Sequence, residues 1–264
     1  MNDLTVISYN IWFEETLQIE RIAALLTVII NFSPDVLCLQ EVRPRVYEIL
    51  INQLKNYKYH FPNKIDELYG CAILSKFPIS KGEIYPFYNS QMGRNLIVGI
   101  IDYPYHKKEK DAILVEKLAI PIVTTHFESI FKRNVENKAK IEQFEETHII
   151  LDELYLAFKN VIFCSDTNIL PQEEVKFFAN KKNNDWIDAW HLLGNKSNEY
   201  TYDGNRNIYL QLKNSKFTSR LDRIIFRCDH CEVIEFRMLD TLEDVLQPSD
   251  HFGIMAKFDL KFEK

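Results

Sequence analysis

Short polar clusters stand at the ends of several apolar, strand-like runs in this sequence. Near the carboxyl end, Pro248-Ser249-Asp250-His251-Phe252-Gly253 places a carboxylate and an imidazole directly before an apolar run. Three earlier runs close in Ser8-Tyr9-Asn10, Leu39-Gln40-Glu41-Val42 and Cys164-Ser165-Asp166-Thr167-Asn168. A fold that gathers strand ends at one edge would bring these side chains together. Their oxygen and imidazole groups predict a hard-metal site suited to splitting a phosphodiester.

Apolar periodicity alternates between helical and strand-like spacing, which indicates a mixed α/β fold. Strands and helices alternate early in the chain, whereas the last strands follow one another. We therefore predict one domain over residues 1–264, an α/β sandwich of four layers in which two mixed β-sheets pack face to face with helices outside. The polar tract His106–Asp111 is predicted as an exposed loop. The predicted strands are 6–9, 35–40, 71–75, 96–101, 118–125, 161–164, 220–226, 233–237 and 253–258, and the predicted helices are 22–29, 46–54 entered through Pro44, 135–158, 173–179 and 186–193.

Charge and hydropathy patterns exclude several classes of protein. The net charge of −6 argues against binding to nucleic acid through a broadly basic surface. No apolar run approaches the roughly 18 residues of a membrane span, and Leu4–Ser8 begins a strand where a signal peptide would lie. We expect an intracellular protein, nuclear or cytoplasmic, that is neither secreted nor bound to a membrane. Local basic groups remain for nucleic-acid contacts, although a solvated charged face is the simpler explanation for each: Arg94, Lys132-Arg133, Lys138, Lys140, Arg206 and Arg220.

The five cysteines are an odd number, which favours reduced thiols in an intracellular protein. Cys38, Cys71 and Cys164 lie within apolar runs and are predicted to be buried. Cys228-Asp229-His230-Cys231 has the spacing of metal ligands, but one pair without a second is weak evidence for zinc.

The strand-end residues each admit a structural explanation beside a catalytic one. Glu41 follows a buried run, so its charge needs either a metal or an ion pair with Arg43 or Arg45. Asp166 and Asn168 are two residues apart and are predicted to point to the same side of a strand. There they would orient a water and bind a phosphoryl oxygen, or else cap an Asx turn.

Asp222 lies within Arg220-Leu221-Asp222-Arg223, beside an apolar run. It is suited to holding His251 in one tautomer, or to pairing with a neighbouring arginine. The set of hard oxygen ligands, with few sulfurs and one or two histidines, favours Mg²⁺ or Mn²⁺ over zinc. The sequence has no Gly-rich phosphate loop, Gly-x-Ser-x-Gly turn or His-Glu-x-x-His. It therefore lacks the motifs on which NTPases, α/β-hydrolases and zincins depend.

These clusters, in this order, resemble the endonuclease/exonuclease/phosphatase superfamily, whose fold is DNase I-like, and in particular its 5′-tyrosyl-DNA phosphodiesterase branch. The resemblance spans nearly the whole chain. Asn, Glu, Asp and His in this order are typical of the superfamily, whereas Thr-His-x-Glu-Ser and Asp-Thr-Asn are more specific to the branch. The stretches that carry the resemblance are 8–13, 39–42, 92–96, 125–129, 165–168, 185–190, 220–223 and 248–253.

The resemblance implies a role for each matching residue. Glu41 would bind Mg²⁺, with Mn²⁺ as the alternative, and Asp250 would complete the metal site. Asp166 with Asn168 would position and activate the attacking water, and His251, held by Asp222, would stabilise the phosphoryl oxygens. The remaining implied roles are phosphate contact by Asn10, completion of the site by His126, and a substrate path lined by Tyr69, Arg94, Ser129 and Tyr202.

The sequence departs from the resemblance in three places. Trp12 stands where some relatives have Asp, which would remove an outer ligand of the metal, although the Asn-x-Trp-Phe form also resembles the family. Leu170 stands where some members have Arg, and Phe131-Lys132 replaces a Thr-Arg pair, so both departures weaken the expected contacts with phosphate or DNA. We expect them to affect substrate affinity more than chemistry.

The implied activity is Mg²⁺-dependent hydrolysis of the bond between a protein tyrosine and a DNA 5′ end, which leaves a 5′-phosphate. The expected partner is a single-stranded or frayed DNA 5′ end that carries tyrosine or a peptide. The sequence leaves the oligomeric state open. Alternatives within the superfamily are an abasic-site endonuclease, a deadenylase, or a lipid or inositol phosphatase. A further alternative, which is not an enzyme, is a catalytically silent nucleic-acid adaptor.

Overall fold

The computed structural model describes residues 2–109, 112–129, 137–174, 185–239 and 246–261. Within these ranges, none of the helices is long and apolar enough to cross a membrane. The strands are β1 (Asp3–Asn10), β2 (Val36–Val42), β3 (Tyr59–Phe61), β4 (Gly70–Ser75), β5 (Ile79–Pro86), β6 (Asn95–Glu109), β7 (Ala112–His126), β8 (Asn160–Asp166), β9 (Ile187–Asp188), β10 (Tyr202–Asp203), β11 (Thr218–Ser219), β12 (Asp222–Cys228), β13 (Cys231–Leu239) and β14 (Gly253–Leu260). The helices are α1 (Gln18–Phe32), α2 (Pro44–Gln53), α3 (Lys138–Phe158), α4 (Pro171–Glu174), α5 (Ala189–Leu193) and α6 (Ile208–Leu212).

Two six-stranded sheets form the body of the fold. The first has the strand order β13-β14-β1-β2-β4-β3 and the second has the order β5-β6-β7-β8-β12-β9. In each sheet a central pair is parallel, β1 with β2 and β7 with β8, while β14 and β12 run antiparallel to β1 and β8. The starts of β12 and β14 therefore adjoin the ends of β8 and β1.

Apolar side chains fill three spaces between the layers. The central cluster contains residues of both sheets, such as Val6 and Ile224. A second cluster packs the first sheet against α1 and α2 through residues such as Leu25 and Leu50, and a third packs the second sheet against α3 through Phe144. The predicted sandwich of two mixed sheets with helices outside is confirmed.

Helix α1 follows directly from its apolar stripe, in which Ile22, Leu25 and Ile29 are buried. It ends at Ser33, whose φ of 42° is left-handed, immediately before a proline that cannot continue the helix. Helix α3 begins after Asn137, whose side chain accepts a hydrogen bond from the Lys140 amide. The start predicted for α3 at residue 135 lies outside the described residues.

Several predicted elements were wrong in type or extent. The tract predicted as a loop at His106–Asp111 is strand as far as Glu109, because β6 and β7 continue their antiparallel pairing to the pair Glu109 and Ala112. Strands β3 and β5 were not predicted. The helix predicted over 186–193 is split into β9, which pairs with β12, and the short α5. The helix predicted over 173–179 is described only as far as Glu174.

The prediction for the cysteines was correct for three and wrong for two. Cys38, Cys71 and Cys164 are buried and free. Cys228 and Cys231 are joined in a disulfide, because the β12–β13 turn brings their Cα atoms to 5.4 Å, within the range that a disulfide spans. The two sulfurs that the zinc alternative needs are bonded to each other.

Candidate active site

Strand alternation directs the polar side chains into the space between the sheets. In β1, Leu4 and Val6 belong to the central core, whereas Ile7 and Tyr9 belong to the cluster beneath the helices. Asn10 continues the inward series at the end of the strand. An apolar strand thus ends in an inward-facing amide.

Strand register gathers further polar residues at the same edge. Asp166 pairs in register with His126 on one neighbouring strand and with Asp222 on the other. One layer below, Gln40 Nε2 donates to Thr124 Oγ1 at 2.9 Å and connects the first sheet to the second. The site is therefore a polar end to the apolar core and takes side chains from both sheets.

Glu41 reaches the site through a break in the strand. Alternation would send its side chain towards the helices with Leu39, but the pairing of β2 with β4 shifts register between Leu39 and Val42, and Glu41 has a left-handed φ of 58°. Its carboxylate consequently accepts from Asn10 Nδ2 at 3.2 Å and from the Phe13 amide at 2.9 Å.

Asp166 is the central acid of the cluster and is 1% exposed. Its Oδ2 accepts from Asn10 Nδ2 at 2.8 Å, and its Oδ1 accepts from the Asn168 amide at 3.1 Å. Burial, reinforced by the charge of Asp222, raises the pKa of Asp166 from 3.8 to about 6. A carboxylate with a pKa near neutrality can take a proton from a bound water.

Asn168 stays beside Asp166 for a reason other than strand alternation. Strand β8 ends at Asp166, and Asn168 has a left-handed φ of 49° in the following turn. Its Nδ2 donates to the Phe127 carbonyl at 3.0 Å. The Asx turn considered as a structural alternative is present, and it holds Asn168 at the site.

His126 is held as a neutral ring. Arg94 Nη1 lies 2.8 Å from His126 Nδ1, and since a guanidinium can only donate, Nδ1 accepts. The ring proton then belongs to Nε2, which lies 3.2 Å from Asp166 Oδ2. Burial, with the positive charges of Arg94 and His251, lowers the pKa of His126 well below 6.5.

His251 has the opposite charge state. Its Nδ1 lies 2.8 Å from Asp222 Oδ2, and its Nε2 lies 3.8 Å from Asp166 Oδ2. Burial alone would lower the pKa of His251, but the nearby carboxylates, chiefly Asp222 and Asp166, outweigh it and raise the pKa well above 6.5. His251 is therefore a cation with its Nε2–H facing the centre of the cluster.

The carboxylates suit a divalent cation. Burial raises the pKa of Asp250 to about 6, and the charge of Glu41 adds to this effect. Burial likewise raises the pKa of Glu41. Asp166, Asp222 and His251 also present ligand atoms within 4.8 Å of one another. Both nitrogens of a protonated His251 carry hydrogens, however, so Glu41 and Asp250 fit a hard cation better.

Aromatic and basic side chains form the rim of the site. Tyr69 stacks on Phe13 at 4.6 Å between ring centroids, and the Arg94 guanidinium lies 5.3 Å from the Tyr69 ring. Tyr202 contacts the His251 ring edge to face at 5.0 Å. Ser129 lies further along the rim, where its Oγ donates to the sulfur of a methionine at 3.3 Å. All four residues predicted to line a substrate path thus lie near the cluster or next to its neighbours.

Comparison with known proteins agrees with this geometry. Residues 7–251 match the family model described as Endonuclease/Exonuclease/phosphatase family. The chain belongs to this family. Its members include hydrolases that use divalent metals, and the acidic cluster described above is consistent with that requirement.

The curated members of the family most similar to the chain include two enzymes named Tyrosyl-DNA phosphodiesterase 2. The Bos taurus protein is 30% identical over 98% of this chain and 69% of its own length. The Gallus gallus protein is 29% identical over 91% of this chain and 62% of its own length. The chain thus spans about two thirds of the length of these relatives.

Solved structures of the family share the fold. A crystal structure of D. rerio TDP2 complexed with single strand DNA product covers 98% of this chain and 100% of its own, with a TM-score of 0.77 and 23% identity. The human Nocturnin catalytic domain with bound sulfate anion covers 98% of this chain and 94% of its own, with a TM-score of 0.72 and 21% identity.

The departures from the family pattern have distinct structural settings. Trp12 has a left-handed φ of 58°, and its indole centroid lies 4.4 Å from the Arg21 guanidinium and 4.6 Å from the Lys213 ammonium. A position that the resemblance expects to be acidic is thus occupied by an aromatic ring near two positive charges. Leu170 donates its amide to Glu173 at 2.8 Å. Phe131-Lys132 lies outside the described residues, as does Arg133.

Among the described residues, neither Glu41 nor Asp222 forms the arginine ion pair considered as its simpler explanation. Glu41 accepts its hydrogen bonds from Asn10 and the Phe13 amide, whereas Arg43 pairs with Glu15 at 2.7 Å. Arg220 forms its ion pairs with Asp188 and Glu174, which leaves the Asp222 carboxylate to His251.

Three of the basic residues predicted on the surface are buried instead. Lys140 is fully buried, and its Nζ donates to the Asn168 carbonyl at 2.9 Å and to Glu173 at 2.7 Å. Arg94 and Arg220 are buried as well, so neither these two nor Lys140 belongs to a solvated charged face.

Sequence reasoning missed Arg21 in the neighbourhood of the site. Its Nη2 donates to the Trp12 carbonyl at 3.0 Å, and burial lowers its pKa although Asp250 and Glu41 oppose this. The signal was present, because Arg21 lies four residues before Leu25 on the buried stripe of α1, where a charged residue is unusual.

Proposed function

We propose that this protein hydrolyses the phosphodiester between a tyrosine and the 5′ end of DNA, with Mg²⁺ as its cofactor, and leaves a 5′-phosphate. The convergence of Asn10, Glu41, Asp166 and His251 from both sheets in one buried cluster carries this proposal. The names of the two relatives, and the single strand DNA product in the D. rerio structure, support the choice of substrate.

The chemistry of the leaving group fits the residues of the site. A tyrosine phenolate, whose parent pKa is about 10, leaves more readily than a sugar alkoxide. The reaction therefore needs an aligned water and stabilisation of the phosphoryl charge more than a strong general acid.

Glu41 and Asp250 would hold Mg²⁺. The bound cation would supply Lewis-acid stabilisation of negative charge on the phosphoryl oxygens. Asn10 bridges Glu41 and Asp166 through its Nδ2, so it fixes the spacing of these two carboxylates. Mn²⁺ has similar ligand preferences and is the alternative.

The remaining residues act on the water and the phosphoryl group. Asp166, aligned by Asn168, orients the attacking water and accepts its proton as the new phosphorus–oxygen bond forms and the bond to the tyrosine oxygen breaks. His251 donates its Nε2–H to a phosphoryl oxygen, and Asp222 keeps this imidazole protonated and in place. His126 donates its Nε2–H to Asp166. Because this ring is neutral, it adds no positive charge beside the general base.

The rim residues would guide the DNA end. Tyr69 and Tyr202 offer ring faces for a base or a tyrosine, and Arg94 and Ser129 offer donors for phosphate. These contacts are local, in agreement with the net charge of −6. Such a site favours a single-stranded or frayed end, whose bases are free to stack.

The test compares four substrates in Mg²⁺: a 5′-phosphotyrosyl oligonucleotide, an abasic duplex, poly(A) and a phosphoinositide. We expect fastest cleavage of the first. Asp166→Asn and His251→Ala should each lower turnover at least ~10²-fold. Asp66→Asn, at an exposed carboxylate, is the control.

Three outcomes would contradict the proposal. Faster cleavage of another substrate would assign that activity instead. Near-normal turnover of both Asp166→Asn and His251→Ala would show that this cluster is not the active site. Absence of Mg²⁺-dependent release of nitrophenol from a thymidine 5′-phosphodiester would favour the silent adaptor.

A further inference from the structure

Glu128 is a buried carboxylate two residues beyond the end of β7, and the mechanism above gives it no role. It is 1% exposed. Its Oε2 accepts from Ser90 Oγ at 2.8 Å and from Gln143 Nε2 at 3.1 Å, and its Oε1 accepts from the Gln91 amide at 2.8 Å. These donors are all neutral, and two of the three, Ser90 and Gln91, belong to one loop.

That loop joins β5 to β6 and is built around the Ser90 hydroxyl. Because Ser90 donates its hydroxyl proton to Glu128, its oxygen is free to accept from the Met92 amide at 3.2 Å and from the Arg94 amide at 2.8 Å. The loop closes where the Phe87 amide donates to the Arg94 carbonyl at 3.1 Å. The backbone of Arg94 is thus fixed on both sides.

Helix α3 anchors Glu128 from the other direction. Gln143 Oε1 accepts from the Glu128 amide at 2.8 Å while Gln143 Nε2 donates to the Glu128 side chain. This two-point contact orients the carboxylate. The side-chain contacts of Glu128 that lead towards the catalytic cluster are those with the loop.

The guanidinium of Arg94 is the point where the loop meets the cluster. Arg94 Nη1 donates to His126 Nδ1, which leaves the ring proton on Nε2 facing Asp166. We propose that Glu128 is a positioning residue that acts through Ser90 and Arg94 to hold His126 in its Nε2–H tautomer towards Asp166. The inference deepens the proposed function, because His126 and Asp166 belong to the site on which that proposal rests.

An amide at position 128 would break this arrangement at little cost in volume. Glutamine has one acceptor oxygen where Glu128 uses two, so Glu128→Gln must lose a donor from the loop or turn its own NH₂ towards one. Ser90→Ala removes the same connection from the other side, whereas Ser90→Thr keeps the hydroxyl. Glu142→Gln is the matched control, since Glu142 bonds Asn89 of the same loop at an exposed position.

The decisive measurement is the ¹⁵N shift of the His126 ring nitrogens in the metal-free full chain, assigned with His126→Gln. We expect Nδ1 unprotonated in the wild type, Ser90→Thr and Glu142→Gln, and mixed tautomers in Glu128→Gln and Ser90→Ala. Turnover should fall about 10-fold in the last two, with the double variant no worse than either, because both break one connection.

A wild-type tautomer in folded Glu128→Gln and Ser90→Ala would overturn the inference, and so would additive losses of turnover. If Glu128→Gln does not fold, the contrast between Ser90→Ala and Ser90→Thr still decides. The tautomer is read without substrate, so failure to cleave phosphotyrosyl DNA would refute the proposed function and leave this inference standing.

Discussion

Replacing Asp250 with Asn should stabilise the metal-free protein while removing its response to metal. Burial raises the pKa of Asp250 from 3.8 to about 6, with Glu41 adding to the effect. The folded protein therefore keeps a proton that the unfolded chain has already lost. Stability falls as pH rises between about 4 and about 6, and the full penalty persists above that range.

The size of the penalty follows from the two pKa values. A gap of roughly 2 pH units corresponds to about 3 kcal/mol. Asn at position 250 has nearly the same shape and cannot ionise. Asp250→Asn should thus be more stable than the wild type by up to ~3 kcal/mol at pH 8 without metal, and within about 0.5 kcal/mol of it at pH 4.

Urea unfolding followed by tryptophan fluorescence, with and without Mg²⁺, measures both effects. Mg²⁺ should stabilise the wild type, because it binds only the folded state, and should have much less effect on Asp250→Asn. Asp66→Asn, at an exposed carboxylate, should behave as the wild type does. An Asp250→Asn protein that is less stable at pH 8 without metal, or that keeps the full response to Mg²⁺, would refute the reasoning.

Three other changes test further parts of the structure. Asp222→Asn should lower the pKa of His251 and reduce turnover at least ~10-fold at pH 7.5, with partial recovery as pH falls towards the pKa of about 6 of Asp166, where the ring regains its proton before the base is lost, as a kcat–pH profile would show. Lys140→Met should cost about 1–3 kcal/mol in urea unfolding, because it removes the ion pair with Glu173, which among the described residues keeps only the Leu170 amide as a donor, and adding Glu173→Gln should restore part of the loss. Reduction of the Cys228–Cys231 disulfide should lower stability by about 2 kcal/mol in thermal unfolding and leave turnover unchanged, since its turn lies at the opposite end of β12 from the site.

Period-two alternation was enough to predict part of the site. It directs Asn10, Asp166 and Asp222 inward at strand ends, and parallel or antiparallel pairing then brings these ends to one edge. The side chains themselves were therefore predictable from local pattern and general sheet geometry.

Glu41 was predicted at the site by residue type and resemblance, but its direction was not predictable from the strand pattern. The bulge before Val42 and the left-handed backbone at Glu41 reverse the alternation. The residues Leu39-Gln40-Glu41-Val42 do not predict either feature. The cost of such a conformation is of the order of 1–3 kcal/mol, which the surrounding hydrogen bonds must offset.

Ion pairs between residues far apart in the sequence were also not predictable. Lys140 and Arg220 read as surface groups because charged residues are mostly exposed. Their partners, Glu173 and Glu174, lie in a segment that sequence spacing does not connect to them. Burial of a charge depends on a partner supplied by the whole fold, so local patterns do not reveal it.

The protonation states of the two histidines also depend on partners that the sequence pattern does not reveal. His126 and His251 start from the same ordinary pKa of 6.5, and both are buried, which alone would leave both neutral. They differ in what faces Nδ1, a guanidinium for His126 and a carboxylate for His251. One ring therefore serves as a neutral donor to Asp166 and the other as a cation beside it. A base with a pKa of about 6 survives between them because only one of the two rings is charged.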